Sequence, residues 1–311
     1  MDIEKAIIVV NKTRLEQLTA RFNTKAQAKF YIEHAGGDFE DYEIEHDSFK
    51  RSLEIVQKAI SRELRYKIID RQYVPNYIFS KKDVVVVVGQ DGLVANTAKY
   101  VNDIPIIAVN PTPTRYDGIL LPFDTSNFEE GLFSTLEGNP KIQAVAMAEA
   151  RLNDGQRLLG FNDLFIGHSS HISARYKITF QNQSENHSSS GIIVSTPAGS
   201  TGWLSSLLNM AHGINRTFIK KGGGKINLHK MAWDEKRLIF IVREPFLSKY
   251  SQAGLTTGFI SSDKKLVLES FMPTNGVIFS DGIESDFLNF NSGAIAKVGI
   301  AAEKALIVQR Q

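Results

Sequence analysis

The chain is predicted to fold as two domains. Residues 1–125 read as an α/β domain with a Rossmann-like, mostly parallel sheet, and 126–290 as a β-rich domain. Three observations predict this. Five consecutive valines, Val84 to Val88, form a β-branched run without polar alternation, which marks a strand buried on both faces of a parallel sheet. The run enters the turn Gly89-Gln90-Asp91-Gly92 and then a segment with helical spacing, Leu93, Thr97, Ala98 and Val101 lying on one side. From Lys141 onward, short alternating segments are punctuated by turn residues such as Asp154-Gly155, the pattern of an all-β domain.

Composition narrows the classes of function. A length of 311 residues suits two domains, and 42% hydrophobic residues can bury a substantial core. The formal net charge is +2, so neither nucleic acid nor an anionic membrane is implied as a partner, and any phosphate-binding charge must be local. There is no cysteine, which excludes disulfides and thiolate metal sites and fits a reducing compartment. The apolar run Ala6–Val10 is too short for a signal-peptide core and follows acidic residues. No apolar stretch reaches the length of a membrane span. The expectation is a cytoplasmic protein.

Taken in order, Ala6–Val10 is the first strand, with Asn11-Lys12-Thr13-Arg14 at its carboxyl end. Phe22–Gly37 reads as a polar helix ended by Gly36-Gly37. Phe49, Leu53, Val56, Ile60 and Leu64 are spaced as one face of an amphipathic helix. Tyr66–Asp70 is a short strand and Pro75–Lys82 a connector. The valine strand, its helix and a second apolar strand, Ile104–Val109, complete an α/β order. Asn110–Pro122 is a proline-rich loop, and Asn127–Leu136 a short helix. In the second domain, Lys141–Arg151, Leu158–Ile166, Ala174–Gln181, Ile192–Val194, Leu238–Arg243, Lys265–Leu268 and Val277–Asp281 read as strands. Gln183–Ser190 reads as a turn and Leu204–Met210 as a helix. Thr217–Leu228, with Gly222-Gly223-Gly224, reads as a flexible connector. Ala294–Ile300 and Ala305–Val308 are the last strands.

The chemistry concentrates in three stretches. Gly89–Gly92 lies at the carboxyl end of a parallel strand and opens a helix, where ligands of open α/β sheets bind and free N–H groups meet phosphate. Asp91 is the one carboxylate inside that turn; it reads as a general base or as a helix cap. Asn162-Asp163 precedes a strand. Ser195-Thr196-Pro197-Ala198-Gly199-Ser200-Thr201-Gly202-Trp203 follows one and is rich in hydroxyls and glycine. Lys12 and Arg14 read as phosphate-facing or as solvated loop charges. His168 and His171 read as surface histidines, and no metal site is assigned.

The combination resembles the NAD kinase family. That family carries a Gly-Gly-Asp-Gly turn, an Asn-Glu or Asn-Asp pair, and a Ser-Thr-Pro-Thr-Gly-Ser-Thr-Ala-Tyr type segment in this order. The first piece alone is shared with diacylglycerol-type lipid kinases and phosphofructokinases. Lys12-Thr13-Arg14, Ser189-Ser190-Gly191, Arg243-Glu244-Pro245 and Asn291–Ala296 look closer to the mitochondrial-type members. The likeness runs from about Lys5 to Val308.

The resemblance implies an NAD kinase/diacylglycerol kinase-like fold whose C-terminal segment, about 291–311, returns to the first domain. It implies phosphoryl transfer from ATP, with magnesium, to the adenosine ribose 2′-hydroxyl of NAD, giving NADP, in a homodimer. Asp91 would be the base. Gly89, Gly92, Lys12 and Arg14 would meet phosphate, and Asn162, Asp163, Thr196, Ser200, Thr201 and Trp203 the adenosine half of NAD. The loop matching Asn110–Pro122 closes over the dinucleotide in that family, although Thr112, Thr114 and Arg115 depart from the common pattern. Gln90 stands where the family usually has glycine and Trp203 where it has tyrosine. Ser190 replaces an aspartate of the common enzymes. A glutamine at a position needing positive φ would cost about 1–2 kcal/mol. Two other functions share these features: a lipid or sugar kinase of the same broad fold, and a catalytically weak dinucleotide-binding protein.

Overall fold

The computed structural model describes residues 3–218 and 231–311. They gather into two units, Met1–Gln143 with Ala305–Gln311, and Ala144–Lys304.

The first unit begins with β1 (Lys5–Val10), α1 (Arg14–Phe22), α2 (Lys25–His34) and α3 (Glu40–Glu63). Thr13 starts α1 through a capping box: its hydroxyl accepts from Glu16 N, and Glu16 accepts from Thr13 N. The helix expected over Phe22–Gly37 starts later, at Lys25. Asn23 ends α1 in the left-handed region (φ 64°), and the Thr24 side chain caps α2. Along α3, Phe49, Leu53, Val56 and Ile60 are buried as their spacing requires.

Then follow β2 (Arg65–Asp70), a 3₁₀ turn (Arg71–Asn76), β3 (Asp83–Val88), α4 (Asp91–Ala98), β4 (Pro105–Asn110), β5 (Phe123–Asp124) and α5 (Phe128–Leu136). The valines of β3 are fully buried. β2, β1, β3 and β4 are neighbours in that order, all parallel. The carboxyl ends of β1, β2, β3 and β4 therefore open on one sheet edge, where Lys12, Arg71, Gly89 and Pro111 follow. The core beneath them joins Ile8, Val56, Ile60, Val86 and Ile107.

The second unit holds β6 (Lys141–Leu152), β7 (Arg157–Gly160), β8 (Asp163–His168), β9 (Ala174–Phe180), β10 (Gln183–Ser189) and β11 (Ile192–Ser195). A 3₁₀ turn (Ala198–Thr201) leads into α6 (Trp203–Phe218). β12 (Leu238–Val242), β13 (Thr257–Ile260), β14 (Leu266–Ser270), β15 (Gly276–Ser280), β16 (Ile283–Asn289) and β17 (Ile295–Gln309) follow. One antiparallel sheet runs β13-β12-β11-β8-β15-β16; β10, β9, β14 and β17 form a second run of neighbours. Ile166, Ile178, Val194, Phe240, Leu268 and Ile278 belong to the core of this unit.

Several sequence expectations change here. Gln183–Ser190 is not a turn but strand β10, paired along its length with β9. It looks polar because it ends its run of strands and leaves only two of its seven residues buried. Leu158–Ile166 is not one strand, because Phe161-Asn162 bends out between β7 and β8. α6 runs on to Phe218, past the expected Met210 and into the expected loop. The glycines Gly222–Gly224 lie outside the described residues. The two last strands are one: Ile295–Val298 of β17 pair with β14 in the second unit, and Leu306 and Ile307 pair in parallel with β4 in the first.

Candidate functional site

In the first unit a cavity of about 280 Å³ opens at the sheet edge, lined by residues that follow four strands. Lys12, Thr13 and Arg14 come from the end of β1, Arg71 from β2, Gly89 to Gly92 from β3, and Pro111 and Thr112 from β4. α3 contributes Glu45 and Phe49, and α4 Leu93 and Asn96.

The tripeptide Lys12-Thr13-Arg14 divides its work. Thr13 is buried, caps α1 and shares a hydrogen bond with His46 Nδ1 at 2.9 Å. Arg14 donates from Nε to Glu45 at 2.6 Å, pairs also with Asp41, and lies over the Tyr42 ring. The hydrogen bond it donates to Glu45 leads the causes that hold its pKa above the usual arginine value. Its charge is thus met by two carboxylates of α3. Lys12 has no side-chain partner among the described residues.

The backbone of the Gly-Gln-Asp-Gly turn answers the question raised by Gln90. That residue sits at φ −99°, ψ 166°, extended backbone open to any L-residue. A glutamine there carries no strain, and the reason for expecting a weakened site falls away. Gly92 faces open space, with nothing within 4 Å of a built Cβ. The N–H groups of Asp91 and Gly92, at the first turn of α4, have no acceptor among the described residues.

Asp91 is half-buried and is not part of the cavity lining. Its carboxylate accepts from Leu120 N at 2.8 Å and Ile119 N at 3.2 Å. Those donors are presented by a turn that begins at Gly118 (φ 64°), where a Cβ would meet Asn110 Nδ2 at 2.9 Å. Asn110 is buried and fixes the loop, accepting from Thr112 N and donating to Tyr116 O. Arg115 ties the same loop to α3 through a two-pronged contact with Asp41, and Ser48 and Ser52 of α3 donate to Pro111 O. Thr114 is exposed.

In the second unit the Asn162-Asp163 turn and the hydroxyl loop are built as one piece. Thr196 is fully buried; its hydroxyl donates to Phe161 O at 2.6 Å, and its N–H to Asn162 O at 2.9 Å. Gly199 lies so close that a Cβ would fall 1.9 Å from Asn162 O. Asp281 accepts from Asn162 N at 2.6 Å and Phe161 N at 3.1 Å. It does so from an Asp281-Gly282 turn with both residues at positive φ, a hairpin signal that was readable in the sequence.

This framework leaves the Asn162 amide and the Asp163 carboxyl without hydrogen-bond partners among the described residues. Asp163 is 8% exposed, and burial, with Asp281 nearby, pushes its pKa up to about 7. Ser200 donates its hydroxyl to Pro197 O at 2.7 Å, and Thr201 is exposed. Trp203 stacks on Phe165 with centroids 6.0 Å apart and carries the Arg243 guanidinium over its ring; it is packed into a small apolar cluster with Ile193 and Leu207. Ser190 donates to Glu244. A second cavity, about 1020 Å³, is lined in part by Phe165, His168, Ser190, Trp203, Arg243 and Phe279.

Sequence reasoning missed Arg71, Asn96 and Asp281. Arg71 had a signal, since it follows a parallel strand at the same edge as Lys12 and Gly89.

These geometries belong to a known architecture. Over 99% of its length the chain superposes on 94% of an NAD kinase from Archaeoglobus fulgidus, solved in complex with ATP, with a TM-score of 0.57 at 16% identity. Yeast NADH kinase, solved with NADH, gives a TM-score of 0.57 at 13% identity, covering 100% of this chain and 85% of that one. The fold is that of the NAD kinases. In sequence, the chain is 29% identical over 152 residues to the NAD kinase of Saccharolobus islandicus, 49% of this chain and 55% of the relative. It is 25% identical over 225 residues to a probable NADH kinase of Oryza sativa subsp. japonica, 64% of this chain and 63% of that protein. The chain thus spans about half the length of the archaeal relatives it matches, and the resemblance to NAD kinases holds in both sequence and fold. No protein-family model matches the chain.

Proposed function

We propose that this protein is an NAD kinase, transferring a phosphoryl group from ATP to the 2′-hydroxyl of the adenosine ribose of NAD to give NADP. The observation that carries this reading is Asp91. It is a single carboxylate in a Gly-Gln-Asp-Gly turn at the carboxyl edge of a parallel sheet, held in one orientation by two backbone N–H groups. Phosphoryl transfer asks little covalent work of a protein beyond a placed base and a grip on the phosphates. In this reading Asp91 takes the 2′-hydroxyl proton as the ribose oxygen bonds to the γ-phosphorus. The bond from that phosphorus to the ADP oxygen breaks, and ADP leaves. Gly89, Gly92 and Lys12 meet phosphate; Asn162 and Asp163, whose polar groups the fold leaves unpaired, meet the adenosine half of NAD.

Magnesium would neutralise charge building on the phosphate oxygens. Among the described residues no group of three or more His, Cys, Asp or Glu side chains gathers to hold a metal ion. Magnesium needs no such cage, because it binds through one or two carboxylates together with substrate phosphates and water. Asp91 keeps acceptor capacity beyond its two N–H bonds, so the site fits. No helix among the described residues is long and apolar enough to cross a membrane. A cytoplasmic setting and a homodimer belong to the same proposal.

The test is a coupled assay for NADP formed from NAD, magnesium and ATP. Turnover is expected. A purified, folded chain that forms no NADP with ATP, another nucleotide or polyphosphate would overturn the proposal.

A further inference from the structure

The cavity of the first unit contains more than its glycine turn explains. Two buried side chains that line it have a polar atom with no partner: Asn96 Oδ1 and Thr112 Oγ1, on residues 8% and 7% exposed. The Asn96 amide is not free to turn over, because Nδ2 donates to Gly92 O at 2.7 Å and only the nitrogen can donate to a carbonyl. Buried polar atoms in native folds find partners in protein, water or ligand. Both residues line the same cavity as Gly92.

The cations around the cavity are Lys12, Arg14 and Arg71. Arg14 is engaged by Glu45 and Asp41. Arg71 is half-buried and has neither an ion pair nor a side-chain hydrogen bond among the described residues. It starts the 3₁₀ turn whose first N–H groups are capped by Asp70, which accepts from Gln72 N at 3.0 Å. That cap fixes the backbone and leaves the guanidinium uncommitted. A planar fork of donors is the side chain best shaped for two oxygens of one phosphate.

We propose that Arg71, together with Lys12, binds the phosphate chain of the phosphoryl donor, and that Arg14 is a structural tie from α1 to α3 that does not touch it. Asn96 Oδ1 is an acceptor, which a phosphate oxygen cannot satisfy; it takes a hydrogen from water held around the phosphate chain. The inference rests on the kinase reading for the identity of the donor but not for the anion site itself.

The probe is inorganic tripolyphosphate with magnesium, titrated calorimetrically into the full chain at low and moderate salt. A lost charge-assisted contact weakens binding by about tenfold or more. Arg71→Ala and Lys12→Ala should each show that loss and a shallower salt dependence, with Arg71→Lys recovering part of it. Arg14→Ala should keep its affinity within about threefold while melting at a lower temperature. In the NADP assay Arg71→Ala should raise the KM for ATP and leave the KM for NAD within about twofold. Wild-type binding lost only in Arg14→Ala, unchanged binding in Arg71→Ala, or no binding by the wild type would overturn the proposal. Arg71-dependent binding in a chain that makes no NADP would uphold the anion site and defeat the kinase reading.

Discussion

At Gly92 a built Cβ meets nothing within 4 Å, whereas at Gly199 it lands 1.9 Å from the Asn162 carbonyl oxygen. In sequence the two residues look alike, each a glycine in a small-residue loop after a buried strand. In structure they do opposite jobs. Gly92 keeps a cavity open beside two free N–H groups, so its missing side chain is space for something that is not protein. Gly199 lets the hydroxyl loop press onto the Asn162-Asp163 turn, so its missing side chain is already filled by backbone. The hydroxyls divide in the same way. Thr196 spends its own on Phe161 O, while Thr112 has no partner for its own. A glycine motif is evidence of a ligand only where the space it leaves stays empty.

The largest effect that sharpens this contrast is expected at Gly199→Ala. The clash is with backbone and cannot be relieved by a rotamer, so a loss on the order of 3 kcal/mol should follow, read as a lower melting temperature and poor recovery of soluble protein. Gly92→Ala should leave the melting temperature unchanged or slightly higher, since alanine restricts the unfolded chain, and should raise the KM for ATP. Equal destabilisation at both positions would erase the distinction.

Next comes Asp91→Asn. Asparagine keeps one acceptor for the loop N–H groups but is no base. The kcat for NADP formation should fall by roughly 10²–10⁴, with NAD affinity within a few-fold and a loss of about 1 kcal/mol in stability for the N–H contact given up. A variant that retains most of its rate would remove Asp91 from the chemistry.

Asp163 separates the two loops by pH. Its folded pKa of about 7 lies above that of a free aspartate near 3.9, so the folded state holds a proton that the unfolded state has released. Stability should therefore decline as pH rises from about 4 to 7, and Asp163→Asn should flatten that slope. The check is a series of urea melts across this range. Binding of NAD, measured by titration, should change around pH 7, where the folded Asp163 loses its proton and becomes an acceptor only.

The smallest effect belongs to Gln90→Gly. The backbone at φ −99° needs no glycine, so kcat should stay within about twofold. The added freedom of the unfolded chain should cost up to about 1 kcal/mol. A several-fold gain in turnover would show that the glutamine side chain, not its backbone, restrains the site.

Much of this was legible in the chain itself. The valines of β3 and the face of α3 encode burial locally, through spacing alone, whereas the alternation of β6 does not, since Val145, Ala146, Met147 and Ala148 are all buried. What escaped reading depends on partners far along the chain. Arg14 looks like a phosphate ligand until Glu45, 31 residues on, takes its charge. β10 looks like a turn because an edge strand need not alternate. Asp281 shapes the Asn162-Asp163 turn from 119 residues away, and only its Asp-Gly hairpin signal is local. Arg71 lay in plain view after β2, but an uncommitted cation is visible only once every other one has been paired.

β17 has a consequence in time. Leu306 and Ile307 pair with Pro105 and Ile106 of β4 in the parallel sheet of the first unit, yet in the chain they come after the whole second unit. A nascent chain folds from its beginning, so Pro105 and Ile106 wait unpaired on that side, next to the part of β4 that β5 covers, while the second unit is synthesised. An unpaired strand edge is a template for wrong pairing. The carboxyl edge of the sheet, where β5 pairs with Val109 and Asn110, does not share that wait.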